Sequence, residues 1–304
     1  MARVAVVGVG AIGGVVAALL QTAGHHEITL CTRRPLDGLT VKTLEGDIVV
    51  KARNVTDPAL AEAVDWVLVA TKAYDSQGAA AWLQVLSSNK APVAVLQNGV
   101  EHRERFAATV RQEWIVPVVV DCPVERQGDG IVLQRGAMQM KVEENRLGKE
   151  FARLFAGTKA QIELTDDFLT AAWRKLCVNA AGVIPALMMQ PAGVLQDEAL
   201  GKVALEIVAE CVAVGRVEGA RLEDSMGQQV LDGYRAQPPD SVNSILADRM
   251  AGRPMEIDAR NGVIVRKGEK HGIGTPANRM AVALLQAFWR NSISPGSSPP
   301  AGSS

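Results

Sequence analysis

Two groups of residues in this 304-residue chain have types and spacing that could do chemistry. The first is Gly8-Val9-Gly10-Ala11-Ile12-Gly13, a G-x-G-x-x-G run. It follows the apolar β-branched stretch Val4 to Val7 and opens the small-residue segment Val15 to Leu20. Between a strand and a helix, Gly8 would allow a tight turn and Gly10 would let backbone approach a pyrophosphate. Gly13 would permit close helix–strand packing, while the helix N-terminus supplies N–H groups and positive dipole. The second group is Lys175 and Asn179 in AAWRKLCVNAAGV. Four residues apart on a helix, their side chains share one face. An ammonium and an amide there could grip a carbonyl oxygen as negative charge develops on it, and a lysine partly withdrawn from water could also give up a proton. A lysine on an amphipathic helix can equally be a solvated residue, a role that the neighbouring Arg174 suits better.

The elements that would position these groups follow from the apolar pattern. RVAVVGV, EITLCT, DIVVKA, DWVLVAT, PVAVLQ and WIVPVVVDCP read as strands buried on both faces, separated by helical segments. Such an alternation predicts a doubly wound, mainly parallel sheet. GDGIVLQRGAMQMKVEE reads as a hairpin added to that sheet. From about residue 165 the pattern is helical, so the expected division is an α/β Rossmann domain over 1–165 and an all-helical domain over 166–293. The Pro/Gly/Ser-rich tail over 294–304 is expected to be disordered. The apolar helix containing VALEIVAECVAV could be core or the face of a homodimer.

Composition bounds the function. A net charge of −1 and 4% aromatic residues argue against a nucleic-acid partner. No run is long and apolar enough to span a membrane, and the N-terminal apolar stretch, interrupted by glycines, is a poor signal peptide. The four separated cysteines suit buried thiols in a reducing compartment, so a cytoplasmic protein is expected. His25, His26, His102 and His271 have no spacing suited to a metal, and none is expected. Thr275 is expected to cap a helix that Pro276 begins.

The second strand speaks to which dinucleotide would bind. An NAD site usually carries a carboxylate about 20 residues beyond the glycines. Here Thr32, Arg33 and Arg34 close EITLCTRRP, and a guanidinium there suits the 2′-phosphate of NADP. Asn98-Gly99 and Lys72 end predicted strands at the same edge of the sheet, where ligands bind in such folds. Either could also be an ordinary loop residue. Ser244 and Asp248 share a helical face, and Glu256 opens a helix whose dipole alone would favour a carboxylate.

From about residue 1 to 290 the chain resembles the ketopantoate reductases (2-dehydropantoate 2-reductases). The resemblance is carried by GVGAIG, Arg33, TKAYD with Lys72, QNGVE with Asn98, WRKLCVNAA with Lys175 and Asn179, NSILAD with Ser244 and Asp248, EIDARNG with Glu256, and HGIGTP. It implies NADPH and a small 2-oxo acid held in a cleft between a Rossmann and a helical domain, with hydride transfer giving a 2-hydroxy acid. It further implies Lys175 as proton donor and Asn98, Asn179, Ser244 and Asp248 at the substrate. Gly8, Val9, Gly10, Ala11, Ile12, Gly13, Arg33, Lys72, Asn98 and Glu256 would be at the cofactor, with Glu256 on its ribose. The chain departs from the family where a second and third asparagine usually stand, at Val183 (or Ile184) and near Ala192. The resemblance implies 2-dehydropantoate (ketopantoate) or a close analogue as substrate, whereas the apolar residues point to a related 2-oxo acid or ketone with a less polar distal group. Other readings of the same residues are another NADP-dependent hydroxy-acid or imine dehydrogenase, and a non-catalytic NADP(H)-sensing module.

Overall fold

The structure, a computed structural model, describes residues 1–293; the tail from Ser294 lies outside the described residues. The chain divides into two compact units, Met1–Ala172 and Trp173–Ser304. The change of composition near 165 therefore falls a little ahead of the division.

The first unit contains thirteen strands. They are β1 (Ala2–Val7), β2 (His26–Cys31), β3 (Thr40–Thr43), β4 (Gly46–Val49), β5 (Arg53–Val55), β6 (Trp66–Val69), β7 (Val93–Val95), β8 (Ile115–Pro117), β9 (Val119–Asp121), β10 (Val124–Gly128), β11 (Ile131–Gln134), β12 (Gln139–Glu143) and β13 (Gln161–Thr165). Six of them form a parallel sheet in the order β5-β2-β1-β6-β7-β8. Taken by their sequence order within that sheet, this is the 3-2-1-4-5-6 arrangement of a doubly wound dinucleotide fold. Alternate residues of each strand serve different layers. Val4 and Val6 of β1 pack with the helix α1 (Ala11–Thr22). Ala5 and Val7 pack with Trp82, Leu83 and Leu86 of the helix α2 (Ser76–Leu86). That two-sided burial is why these runs are continuously apolar.

Three expectations need correction. DIVVKA does not join the parallel sheet: β4 folds back antiparallel on β3 in a separate four-stranded sheet, and β5 is the third parallel strand. Gly46, at φ +130°, makes the reversal, and Val49 is left largely exposed, so this run was never buried on both faces. The hairpin β10–β11, turned at Asp129-Gly130, also joins that second sheet, while β12 pairs with β9 and β13 in a third. WIVPVVVDCP is accordingly split between two sheets, β8 in one and β9 in another. The helix α3 (Arg146–Leu154) covers this region with the buried Phe151 and Leu154.

The helix α4 (Phe168–Ala181) carries the chain from the first unit into the second. The second unit has no strand among its described residues; its further α-helices are α5 (Val183–Met188), α6 (Glu198–Val217), α7 (Met226–Arg235), α8 (Ser244–Met250), α9 (Val263–His271) and α10 (Pro276–Ile293), joined by turns and short loops. The apolar face of α6 is core, with Ile207, Val208, Cys211 and Val214 all buried inside this unit. Gly215 makes room for Trp173, whose ring a Cβ on that glycine would meet at 2.9 Å. Pro276 begins α10 as expected. The amides of Ala277 and Asn278 are held by the Glu210 carboxylate from α6, at 2.8 and 2.9 Å. No helix among the described residues is long and apolar enough to cross a membrane.

The glycines of the first turn yield a testable contrast. A Cβ on Gly13 would collide with the Gly8 carbonyl oxygen, a backbone atom that cannot swing aside, whereas a Cβ on Gly10 meets nothing within 4 Å. Gly13→Ala is expected to cost about 2 kcal/mol or more in urea denaturation, and Gly10→Ala less than about 0.5 kcal/mol. Equal midpoints for the two variants would contradict this packing.

Candidate active site

In the first unit, the candidate residues gather at the carboxyl edge of the parallel sheet, where the strand order reverses between β1 and β6. Gly8 sits at φ +90°, a conformation that suits glycine, and its backbone lies so close to Thr71 that an added Cβ would fall 2.6 to 2.8 Å from that residue. The helix α1 then starts from Gly10 with no side-chain cap and no acidic residue in its first turn. Its N–H groups and dipole are arranged for an anion, and the open space around Gly10 allows close approach. These observations fit a dinucleotide pyrophosphate. Arg33, just past β2, has a side chain 84% exposed, and its guanidinium lies 3.5 Å from Asp75. No carboxylate occupies the strand tip. Thr32 is tied down instead, donating to the Arg34 carbonyl and accepting from Asn54. An exposed guanidinium without a competing strand-tip acid suits a 2′-phosphate.

Lys72 and Asn98 end neighbouring strands, and Gln97, which the sequence reading passed over, links their loops. Gln97 is buried; its amide nitrogen donates to Thr71 Oγ1 at 2.9 Å and to the Lys72 carbonyl at 3.3 Å. Its oxygen accepts from Ser76 Oγ at 3.2 Å. Arg105 donates to the Asn98 carbonyl at 2.8 Å, and Gly99 follows at φ +104°. The loops carrying Lys72 and Asn98 are thus one hydrogen-bonded assembly. His102 completes it from beneath. Its Nε2–H donates to the Gln97 carbonyl at 3.0 Å, and its ring meets Phe168 edge-on at 6.0 Å. Burial pushes the His102 imidazole down to about 3, so it is neutral.

In the second unit, Lys175 and Asn179 stand one turn apart on α4, Lys175 half-buried and Asn179 buried. Arg174 is exposed and pairs with Glu223, the solvated role expected of it. What holds this end of α4 is a set of side chains from distant parts of the chain. Tyr234 Oη donates to the Val178 carbonyl at 3.0 Å, Asn261 Nδ2 to Ala180 at 3.2 Å, and Asn243 Nδ2 to Gly182 at 2.9 Å. The carbonyls of Val178, Ala180 and Gly182, where α4 meets α5, therefore each accept a side-chain hydrogen bond, that of Val178 in addition to the Gly182 amide at 3.3 Å. Gly182 is needed for this close fit, since a Cβ there would lie 2.5 Å from Tyr234 Oη. Asn261 in turn donates to Asn278 Oδ1 at 2.9 Å, and Asn278 donates to Ile207 O and to Glu210.

The other expected residues have these places. Ser244 is exposed as the first residue of α8, which Asn243 caps by accepting from the Leu246 amide at 3.0 Å. Asp248, buried one turn on, accepts from Arg253 at 3.0 Å. Glu256 is buried immediately before the helical segment that starts at Ile257. Val183 is completely buried and Ala192 nearly so; both are core positions rather than accessible apolar walls. Gln97, Tyr234, Asn243, Arg260 and Asn261 gave no local signal, because each acts on a backbone or side-chain group far off in sequence or inside a loop.

Comparison with known proteins agrees with this architecture. The chain matches the family described as Ketopantoate reductase PanE/ApbA over residues 4–146, and Ketopantoate reductase PanE/ApbA C terminal over residues 167–288. It is 50% identical to the 2-dehydropantoate 2-reductase of Caulobacter vibrioides, covering 94% of this chain and 99% of the relative. It is 40% identical to that of Mycobacterium tuberculosis, covering 93% and 97%. A crystal structure of a PanE/ApbA family ketopantoate reductase from Ralstonia eutropha JMP134 superposes with a TM-score of 0.87 at 32% identity, over 95% of this chain and 99% of that one. The chain belongs to the ketopantoate reductase family.

The neutral, buried His102 makes folding sensitive to acid. Below its ordinary value of 6.5 the unfolded chain takes up a proton that the folded imidazole refuses until about 3. Stability tied to this residue is complete above pH 6.5 and is lost as the pH falls through that window, by up to about 1.4 kcal/mol per pH unit. Urea midpoints measured from pH 7 to 4 should therefore fall less steeply for His102→Gln than for the wild type. Identical slopes would show that the imidazole is not held neutral.

Proposed function

We propose that this protein reduces a 2-oxo acid to the corresponding 2-hydroxy acid with NADPH, and that the substrate is 2-dehydropantoate. The observation that carries the reading is the Lys175–Asn179 pair on one turn of α4, its carbonyl end held by Tyr234, Asn243 and Asn261. The pair lies in a chain half identical, over nearly its full length, to an enzyme named for that reaction. The full burial of Val183 and Ala192 favours 2-dehydropantoate over a less polar analogue, since neither side chain offers a surface to a ligand.

The backbone from Gly8 through Val9, Gly10, Ala11 and Ile12 to Gly13 takes the pyrophosphate. Arg33 would hold the 2′-phosphate, Lys72 and Asn98 the cofactor near the reacting centre, and Glu256 its ribose. The bound cofactor supplies a hydride to the carbonyl carbon. The protein's task is the charge that then grows on the carbonyl oxygen. The Lys175 ammonium stabilises it and delivers its Nζ proton, so the oxygen leaves as a hydroxyl. Asn179 donates to the same region, and Asn98, Ser244 and Asp248 orient the substrate. Donors fixed beforehand need not reorganise as the charge develops, and that is where most of the rate should come from.

The test is NADPH oxidation with 2-dehydropantoate and a panel of 2-oxo acids. Lys175→Ala should lower kcat/KM by about 10³-fold, the range of a lost general acid, with the NADPH dissociation constant within about twofold of wild type. Arg33→Ala should raise KM for NADPH about tenfold and leave NADH nearly unaffected. NADPH binding without turnover of any 2-oxo acid would instead make the chain a cofactor-sensing module.

A further inference from the structure

A guanidinium lies buried beside the candidate substrate residues with very few partners. Arg260 is 3% exposed, and its Nη2 donates to Asn179 Oδ1 at 3.0 Å. Its Nε is buried with no hydrogen-bond partner. Withdrawing a cation from water is costly even with the Glu256 and Asp248 carboxylates near enough to favour it, and natural cores rarely keep such a group without a use for it. The backbone is shaped to put it there. Asp258–Gly262 forms a π-helical turn ahead of α9, and the residues from Ala259 to Ile264 are all buried. A regular α-helix would rotate part of that run to the surface. The wider turn lets both Arg260 and Asn261 point inward, toward α4, and π turns of this kind recur at functional sites. Burial pushes the guanidinium below its ordinary value, while Tyr234, Glu256 and Asp248 pull it back up, so it remains a cation.

We propose that Arg260 is a positioning residue for the reduction: it locks the Asn179 amide with its –NH2 turned toward the substrate oxygen. An arginine side chain only donates, so the atom of Asn179 facing it must be the carbonyl oxygen. The –NH2, on the opposite branch of the amide, is then directed away from Arg260 with no freedom to flip. A cation on the amide oxygen also draws electrons from nitrogen and makes its N–H groups stronger donors toward a developing negative charge. The inference rests on the functional reading above and adds to it a residue that senses the substrate only through Asn179.

A double-mutant cycle tests it. Arg260→Gln should lower kcat about 30-fold while KM and the NADPH dissociation constant move less than about threefold, since the loss falls on a contact strengthened at the transition state. In an Asn179→Ala background the same replacement should lower kcat by less than about twofold, because the group it positions is gone. Arg260→Lys, which keeps a cationic donor, should recover part of the rate. A separate arm needs no turnover. Asn179→Asp places a carboxylate on the guanidinium, so its melting temperature should be no lower than that of wild type, whereas a carboxylate buried without a cation would lower it sharply. If Arg260→Gln does not fold, Arg260→Lys and the Asn179→Asp melting temperature decide the matter. Additive losses in the cycle, or a sharp fall in melting temperature for Asn179→Asp, overturn the positioning role and leave the function intact. Failure of the wild-type protein to reduce any 2-oxo acid overturns both.

Discussion

Side chains from three distant segments fasten the junction of α4 and α5, and the rest of the catalytic reading depends on that hold. A buried carbonyl has a second lone pair to offer, and a side-chain donor placed on it ties two segments together. Here Tyr234, Asn243 and Asn261, from three separate segments, supply the donors, and Asn261 is itself tied through Asn278 to Ile207 and Glu210 on α6. The three bonds to this junction fall on different carbonyls, that of Tyr234 on Val178, that of Asn261 on Ala180 and that of Asn243 on Gly182. Shifting α4 along its axis would break several of them together, so Lys175 and Asn179 inherit a fixed position from bonds that neither of them makes. The stability of the helical unit and the precision of its chemistry have a common source.

The first unit solves the complementary problem with backbone rather than side chains. Its glycine turn has to bring main chain against main chain: Gly13 against the carbonyl of Gly8, and Gly8 against Thr71. The same closeness leaves the N-terminus of α1 open for an anion, since neither a cap nor an acidic residue competes for its N–H groups. Side chains enter only at the periphery. Gln97, His102 and Arg105 fasten the loops of Lys72 and Asn98 to one another, so that the sheet edge offers a surface with its polar groups already committed in direction.

The parts that were legible in the sequence are those where a physical constraint is local. A strand–glycine–helix turn writes itself in consecutive residues, and a shared helical face in positions 175 and 179. Arg33 was readable for the same reason, as the residue following a strand. DIVVKA misled because an apolar run is equally at home in a hairpin covered on one side; what turned it back was Gly46 at positive φ, a conformation that composition does not reveal. The clamp on α4 was invisible, since its bonds join residues 56 to 81 positions apart. Arg260 was hidden more thoroughly still, because a charged residue in an amphipathic pattern reads as solvated, and only the widened turn carries it inside. Apolar residues at 183 and 192 suggested an altered substrate surface, but their complete or near-complete burial makes them packing residues.

The central claim is that one ammonium, on a helix held by donors from three other segments, meets the oxygen that gains charge in the reduction. A crystal structure of the protein with NADP and the 2-hydroxy acid product measures this directly. The expected result places Lys175 Nζ within about 2.6 to 3.2 Å of the product hydroxyl oxygen, with the carbon that bears it against the nicotinamide. A ternary complex with that nitrogen turned to solvent, and another side chain in hydrogen-bond contact with the hydroxyl, would contradict the claim.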